Sequence, residues 1–222
     1  MTKVIVITGA TGVLGTLTAK TFAAQGHSLA ILDHNQSKLD VLTGDLNLPA
    51  ERLFTSIVDL RDGPAVQAAA EAVTQKFGSV HALFHLVGGW TGGKTLPEVS
   101  ADDLNAMLGQ HVWTTFHLFQ AFSSKLAANH WGRVIIVSAS TVPNPPGKTG
   151  PYTAAKAAQE NLALTLAAEL KPSGVTTNII QVRAIDIENK GTGTTPAEIV
   201  ATMQYLFSDE AAKINGVRIP LY

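Results

Sequence analysis

The chain has 222 residues, enough for one large domain or two small ones. With 16 Lys plus Arg against 17 Asp plus Glu there is no basic excess to drive phosphate-backbone binding, so nucleic acid is not an expected partner. Hydrophobic residues at 45% against 15% charged can fill a sizeable core and exclude bulk disorder; with no Cys there is no disulfide, thiol nucleophile or thiolate metal site. The first apolar run meets Gly9 too soon for a signal-peptide hydrophobic region, and no apolar stretch approaches the roughly 18 residues of a membrane span. No membrane partner is expected, and the expected compartment is the cytoplasm.

In chain order, strand-length apolar runs are read at residues 4–7, 28–32, 53–57, 80–86, 133–137 and 176–180, with a short last one at 217–219. Longer segments of helical period separate them. The clearest starts at Ser100, whose hydroxyl can cap the helix while Asp103 closes a capping box; Leu104, Met107, Leu108, Val112, Phe119 and Phe122 then recur at helical spacing. A second long, Ala-rich helix is expected over about residues 152–170, stopping before Pro172. This alternation predicts a single α/β domain over 1–222, a doubly wound parallel sheet of about seven strands with helices on both faces. Near-continuous apolar strands predict burial on both faces. The irregular stretches 88–98, 141–151 and 188–196 each follow the C-terminal end of a strand, the edge where open α/β sheets bind ligands.

The first strand runs into Thr8, Gly9, Ala10, Thr11, Gly12, Val13, Leu14 and Gly15, and then a helix. Glycines let backbone approach a pyrophosphate, and the free N–H groups and dipole of a helix start favour its charge. Asp33 ends the second strand, where a carboxylate can hold an adenosine ribose through both hydroxyls and repel a 2'-phosphate, so NAD(H) is expected over NADP(H). The plainer reading is a tight turn followed by a helix-capping Asp. Tyr152 and Lys156 stand four apart on one helix face. A nearby ammonium favours the phenolate and draws a pKa normally about 10 toward that of a working acid/base, although such a pair also suits a solvated surface.

Over essentially its whole length the chain resembles the short-chain dehydrogenase/reductase family. The matching residues are the Thr8 to Gly15 turn, Asp33, Asp59 with Leu60 after the third strand, Val87 and Gly88 after the fourth, and the YxxxK of Tyr152 and Lys156. The resemblance implies a Rossmann-like fold and hydride transfer to or from nicotinamide. Tyr152 would exchange a proton with a substrate oxygen or nitrogen; Lys156 would bind the nicotinamide ribose and lower the Tyr152 pKa. Cofactor contacts are implied for Gly9, Thr11, Gly12, Val13, Leu14, Gly15, Asp33, Asp59, Leu60, Val87, Gly88, Gly89, Lys156 and Val182, and a homodimer or homotetramer is the implied assembly.

The departures are specific. Gly9, Gly12 and Gly15 follow a TGxxGxxG spacing rather than the commoner TGxxxGxG; His85 to Gly88 replace the family's NNAG; His111 stands at the usual helix Asn; Val182 and Arg183 replace PG. The catalytic Ser usually lies thirteen positions before the Tyr, which selects Ala139. Ser138 and Ser140 flank it, and strand alternation points both away from that face unless a bulge intervenes. One branch of the family, the dihydropteridine reductases, lacks this Ser, and Gly88 to Gly93 with Val112, Trp113 and Thr114 are similar to that branch. The segment from Asp186 to Pro196 is too short for lid helices. Trp90 could stack a flat heterocycle or merely cover an apolar edge. His81 and His85, four apart on a strand, spread over about 13 Å, so no metal site is expected. Trp113, Phe116, Phe119 and Phe122 read as core or subunit interface.

Two functions fit. The first is an NAD(H)-linked oxidoreductase acting on a small-molecule carbonyl, alcohol or conjugated imine, quinonoid dihydropterin being the sharpest candidate. The second is a non-catalytic dinucleotide-sensing or regulatory protein, against which Tyr152 and Lys156 count.

Overall fold

In the computed structural model, which describes residues 2–222, seven strands form one sheet: β1 (Val4–Thr8), β2 (Ser28–Asp33), β3 (Leu53–Ile57), β4 (Ala82–His85), β5 (Gly132–Ala139), β6 (Val175–Val182) and β7 (Arg218–Leu221). Their order is 3-2-1-4-5-6-7 and all six pairings are parallel. Parallel neighbours need crossovers, supplied by α1 (Val13–Ala24), α2 (Gln36–Leu46), α3 (Gly63–Phe77), α4 (Ala101–Met107), α5 (Thr114–Ala127), α6 (Gly150–Leu170) and α7 (Pro196–Phe207). The order reverses between β1 and β4, which opens a crevice at their C-terminal ends.

Each face of the sheet carries its own core. On one, Val6, Leu83, Val134 and Ile136 meet Val73, Leu118, Phe122 and Leu166 of α3, α5 and α6; on the other, Ile5, Ile7, Phe84 and Ile135 meet Phe22, Met203 and Leu206 of α1 and α7. The inner strands β1, β2, β4, β5 and β6 are buried almost throughout. The expectation of burial on both faces fails for β3 and β7, which alternate partly buried with exposed residues because each is an edge strand.

Ser100 caps α4 as expected, its Oγ accepting from Asp103 N at 3.1 Å while Asp103 reaches back to Ser100 N at 3.0 Å. The helix then widens into a π-helical turn over Leu108–Trp113 before α5, a local irregularity that apolar periodicity does not reveal. Two hydroxyls fill carbonyls there: Thr114 Oγ1 donates to Gln110 O at 2.7 Å and Thr115 Oγ1 to His111 O at 2.6 Å. The helix α6 starts at Gly150, with Pro151 in its first turn, and ends at Leu170 before Pro172.

Candidate active site

The cleft begins at the turn between β1 and α1. A Cβ on Gly9, whose φ is +69°, would lie 3.0 Å from Leu86 C and Val87 N, and one on Gly15 would lie 2.2 Å from Gly9 O. These two glycines let the turn pack against itself and against the chain leaving β4. A Cβ on Gly12 would meet Gly9 O alone among the described residues, at an ordinary 3.5 Å. Gly12 is also the N-cap of the 12-residue α1, with no side-chain cap and no acidic residue in the first turn. Free N–H groups, the positive end of the helix dipole and an open approach at Gly12 together fit a pyrophosphate.

From this turn the cleft extends both ways. Toward β2 it has a volume of about 770 Å³ and includes Thr11, Asp33, His34, Lys38, Asp59, Leu60, Arg61, Gln110 and Thr114. Asp33 is buried, and its carboxylate is already engaged: Oδ2 accepts from Thr11 N at 3.2 Å and Thr11 Oγ1 at 2.9 Å, Oδ1 from His34 N at 2.8 Å and Asn35 N at 3.1 Å. A carboxylate has about four lone-pair sites, so ribose hydroxyls would compete here, most directly with the rotatable Thr11 hydroxyl. Asp59 is gripped by Arg61 through Nε at 3.0 Å and a terminal nitrogen at 2.8 Å, which holds its carboxyl near pH 2.

On the other side lies a space of about 370 Å³ lined by Val13, Leu14, Gly15, Val87, Gly88, Gly89, Trp90, Ser138, Tyr152, Lys156, Val182 and Arg183 among others; Gly9, Gly12, Leu86, Val87 and Gly88 border both parts. Every residue expected at the site therefore lines one continuous cleft. Lys156 is buried and donates to Val137 O at 2.9 Å and Gln159 Oε1 at 2.8 Å. Burial pushes its ammonium down to about 8, opposed by the Glu160 carboxylate. The expected lowering of the Tyr152 pKa is not found: burial pushes this phenol up, and the ammonium beside it is turned to other acceptors.

His111 sits in the π-helical turn, with Nε2 at 3.0 Å from Gly89 O and its ring edge-on to Tyr152 at 5.7 Å. Burial first, then repulsion from Lys156, drives its pKa to about 3, against the bond to Gly89. The ring is neutral, and since a carbonyl only accepts, Nε2 carries the hydrogen. Nδ1 is buried with no partner among the described residues.

The end of β5 sets which serine reaches the cleft. The strand β5 continues without a bulge to Ala139, which pairs with Val182, so alternation holds. Ser138 shares the face of Val134 and Ile136, the face covered by α6, and lines the cleft with Tyr152 and Lys156; Ala139 does not line it. Val137, on the face of Ala139, lines the cleft as well, so both faces of β5 reach it near its C-terminal end. Ser138 Oγ is buried without a hydrogen-bond partner among the described residues. His81 and His85 serve as hydrogen-bonding groups: His81 Nδ1 accepts from Val4 N at 3.1 Å, and His85 Nδ1 is 2.7 Å from Thr8 Oγ1.

The mouth is apolar and tied to itself. Trp90, at 61% exposed, packs where a Cβ on Gly92 would lie 2.5 Å from its Cζ2, and Gly93 N donates to Lys148 O at 2.8 Å. Opposite, exposed Ile185 and Ile187 lie on a segment folded around Asp186, whose carboxylate accepts from Lys190 N at 3.0 Å, Gly191 N at 2.7 Å and Thr192 N at 3.1 Å. Sequence reasoning missed Gln159, Ile185 and Ile187. Gln159 leaves one signal, an amide three residues after Lys156 in an Ala-rich helix.

A Gly-rich turn at the reversal of a doubly wound parallel sheet defines a Rossmann-like protein. The short chain dehydrogenase profile matches residues 3–195. Meso-2,3-butanediol dehydrogenase from Serratia marcescens is 30% identical over 240 residues, spanning 99% of this chain and 92% of the relative. A short-chain type dehydrogenase/reductase from Mycobacterium ulcerans superposes with a TM-score of 0.91 at 20% identity, covering 99% of this chain and 88% of that one. A 3-ketoacyl-(acyl-carrier-protein) reductase from Brucella melitensis, complexed with NADH, superposes at 0.90 with 22% identity, covering 99% and 96%. The chain belongs to the short-chain dehydrogenase/reductase family of oxidoreductases.

Proposed function

We propose that the protein is an NAD(H)-linked oxidoreductase that interconverts a small carbonyl compound and its alcohol. The observation that carries this reading is that Ser138, Tyr152 and Lys156 line one cleft continuous with the Gly-rich turn. Gly9, Thr11, Gly12, Val13, Leu14, Gly15, Asp33, Asp59, Leu60, Val87, Gly88, Gly89, Lys156 and Val182 would hold the dinucleotide, and bound nicotinamide would supply or accept the hydride. In the reductive direction Tyr152 gives its phenolic proton to the carbonyl oxygen, and in the oxidative direction it takes that proton from the alcohol. A phenol whose pKa burial has raised is kept protonated, as a proton donor must be. Ser138 donates a hydrogen bond to the same oxygen, where charge develops. Lys156 supplies positive charge beside both.

The name of the Serratia marcescens relative favours a small diol or hydroxyketone. A second reading, reduction of a flat conjugated imine such as a quinonoid dihydropterin, is favoured by Trp90 at the mouth, with Tyr152 then protonating a ring nitrogen. Asp33 supports NAD(H) over NADP(H) through the repulsion its carboxylate offers a 2'-phosphate. Exposed Trp113 and Phe116, packed edge-on at 5.9 Å, support a homo-oligomer. Among the described residues no helix is long and apolar enough to cross a membrane, in keeping with a cytoplasmic assignment.

The test is a hydride-transfer assay with NADH against small hydroxyketones, diketones and quinonoid dihydropterins, in wild type and Tyr152→Phe. Turnover should fall roughly 10²–10⁴-fold in the variant with NADH affinity nearly intact. A variant retaining most of the rate overturns the acid/base role, and NADH binding with no turnover of any substrate favours a dinucleotide sensor.

A further inference from the structure

Behind the cleft, hydrogen bonds join α6 to the π-helical turn in an unbroken line. Lys156 Nζ donates to Gln159 Oε1 at 2.8 Å, Gln159 Nε2 to Thr115 Oγ1 at 2.8 Å, and Thr115 Oγ1 to His111 O at 2.6 Å. None of the four residues is more than 4% exposed. The direction of each bond follows from the last one. A carbonyl only accepts, so the single hydroxyl hydrogen of Thr115 is committed to His111 O. Thr115 Oγ1 can then only accept from Gln159, which turns the amide nitrogen toward it and the amide oxygen toward Lys156. The opposite amide orientation would set N–H groups against an ammonium and leave two acceptors facing each other.

The ammonium has three N–H donors. One goes to Val137 O and one to Gln159 Oε1, the only side-chain acceptor bonded to it among the described residues, which leaves one for the cleft that Lys156 lines. We propose that Gln159 is a positioning residue: its amide oxygen, aimed by Thr115, holds the Lys156 ammonium from behind, keeps it charged inside a buried site and presents its remaining N–H to the cleft. The proposal rests on the reading of Lys156 as a working residue of the oxidoreductase and goes beyond it.

The other ionisable groups around Lys156 are few. Tyr152 and Glu160 share its helix; His111 faces it from the π-helical turn and His85 from β4, both neutral with pKa values driven to about 3 by burial; Arg183 lines the same cleft. Glu160 is itself engaged, accepting from Gln181 Nε2 at 2.8 Å and Arg218 Nε at 2.6 Å. A hydrogen bond accepted from the charged form favours that form. Removing the amide oxygen should therefore lower the pH at which Lys156 loses its proton, and a carboxylate in the same place should raise it.

The experiment is an NMR titration of the Lys156 Cε resonance in full-length protein labelled at lysine, assigned by its loss in Lys156→Arg. In wild type the midpoint is expected near 8. Gln159→Met should move it down by about one pH unit, and the near-isosteric Gln159→Glu should move it up by at least about one. Thr115→Val, which frees the amide to turn, should shift it in the same direction as Gln159→Met and by less. NADH binding followed by fluorescence across the same pH range should track these midpoints. A purely structural role would change melting temperature and leave the midpoints in place, and that result overturns the proposal. If Gln159→Met fails to fold, Gln159→Glu decides alone: an unmoved midpoint overturns it and an upward shift supports it. Opposite shifts in a protein that binds no NADH would uphold the role of Gln159 while refuting the oxidoreductase reading.

Discussion

At the end of the cleft proposed for adenosine the lining is largely backbone: the open approach at Gly12, the uncapped first turn of α1, and amides of Thr11, His34 and Asn35 already holding Asp33. At the end proposed for the chemistry it is buried side chains, with Tyr152, Lys156 and His111 all moved from their ordinary pKa values chiefly by loss of water. The first end depends on where Cβ atoms are missing. The second depends on which donor meets which acceptor in a dry interior, so a change of one functional group there is felt as chemistry rather than as fit.

This contrast breaks most visibly at Ser138. Ser138→Ala should lower ketone reduction by roughly 10²–10³-fold, the effect of about 2.7 to 4 kcal/mol for one donor to a developing oxyanion, while reduction of a conjugated imine falls less. The kcat of both reactions reads this, with Ala139→Ser as the counter-experiment, expected to restore nothing. A gain from Ala139→Ser with no loss from Ser138→Ala would show that the face opposite to Ser138 carries the chemistry.

At the adenosine end the glycines should separate stability from binding. Gly15→Ala forces a Cβ against Gly9 O at 2.2 Å and should destabilise the fold by about 1–3 kcal/mol or more, whereas Gly12→Ala, with 3.5 Å to the same atom, should melt near wild type and bind NADH more weakly. Thermal melts and fluorescence titration check the pair, and equal melting losses would remove the distinction. The smallest effect is expected at Asp33. Asp33→Asn should raise NADPH affinity relative to NADH by about tenfold, or about 1.4 kcal/mol, and an unchanged ratio would show that Lys38 and Arg61, which line the same region, already balance the carboxylate.

Legibility divided along the same line. Strand and helix alternation, the Ser100 cap and the Thr8 to Gly15 turn were readable because backbone geometry demands particular residues at particular intervals, and the residues expected around a dinucleotide all line the cleft. The edge character of β3 and β7 was hidden because apolar runs do not record how many neighbours a strand has. The spacing leaves Ser138 and Ser140 both open beside Ala139, because it does not record that Ser138 alone of the three lines the cleft. The Tyr152 pKa went the wrong way for a related reason: spacing brings an ammonium near the phenol but says nothing about Val137 O and Gln159 competing for it. Gln159 leaves only its spacing from Lys156 as a signal, since its partner Thr115 lies 44 residues earlier.

The short segment after β6 is held by its own backbone. Asp186 ties Lys190, Gly191 and Thr192 into a closed ring, Asp186 N reaches Thr194 O at 2.9 Å, and Thr194 N reaches Ala184 O at 2.9 Å. A rim organised this way gives up its conformational freedom during folding, so little ordering entropy remains to be lost when a guest arrives. Entry and exit should then proceed without a gating step, leaving the chemical step or cofactor exchange to set the turnover frequency. On the proposed function, discrimination among guests should then fall to the contour of Trp90, Ile185 and Ile187, which line the same space.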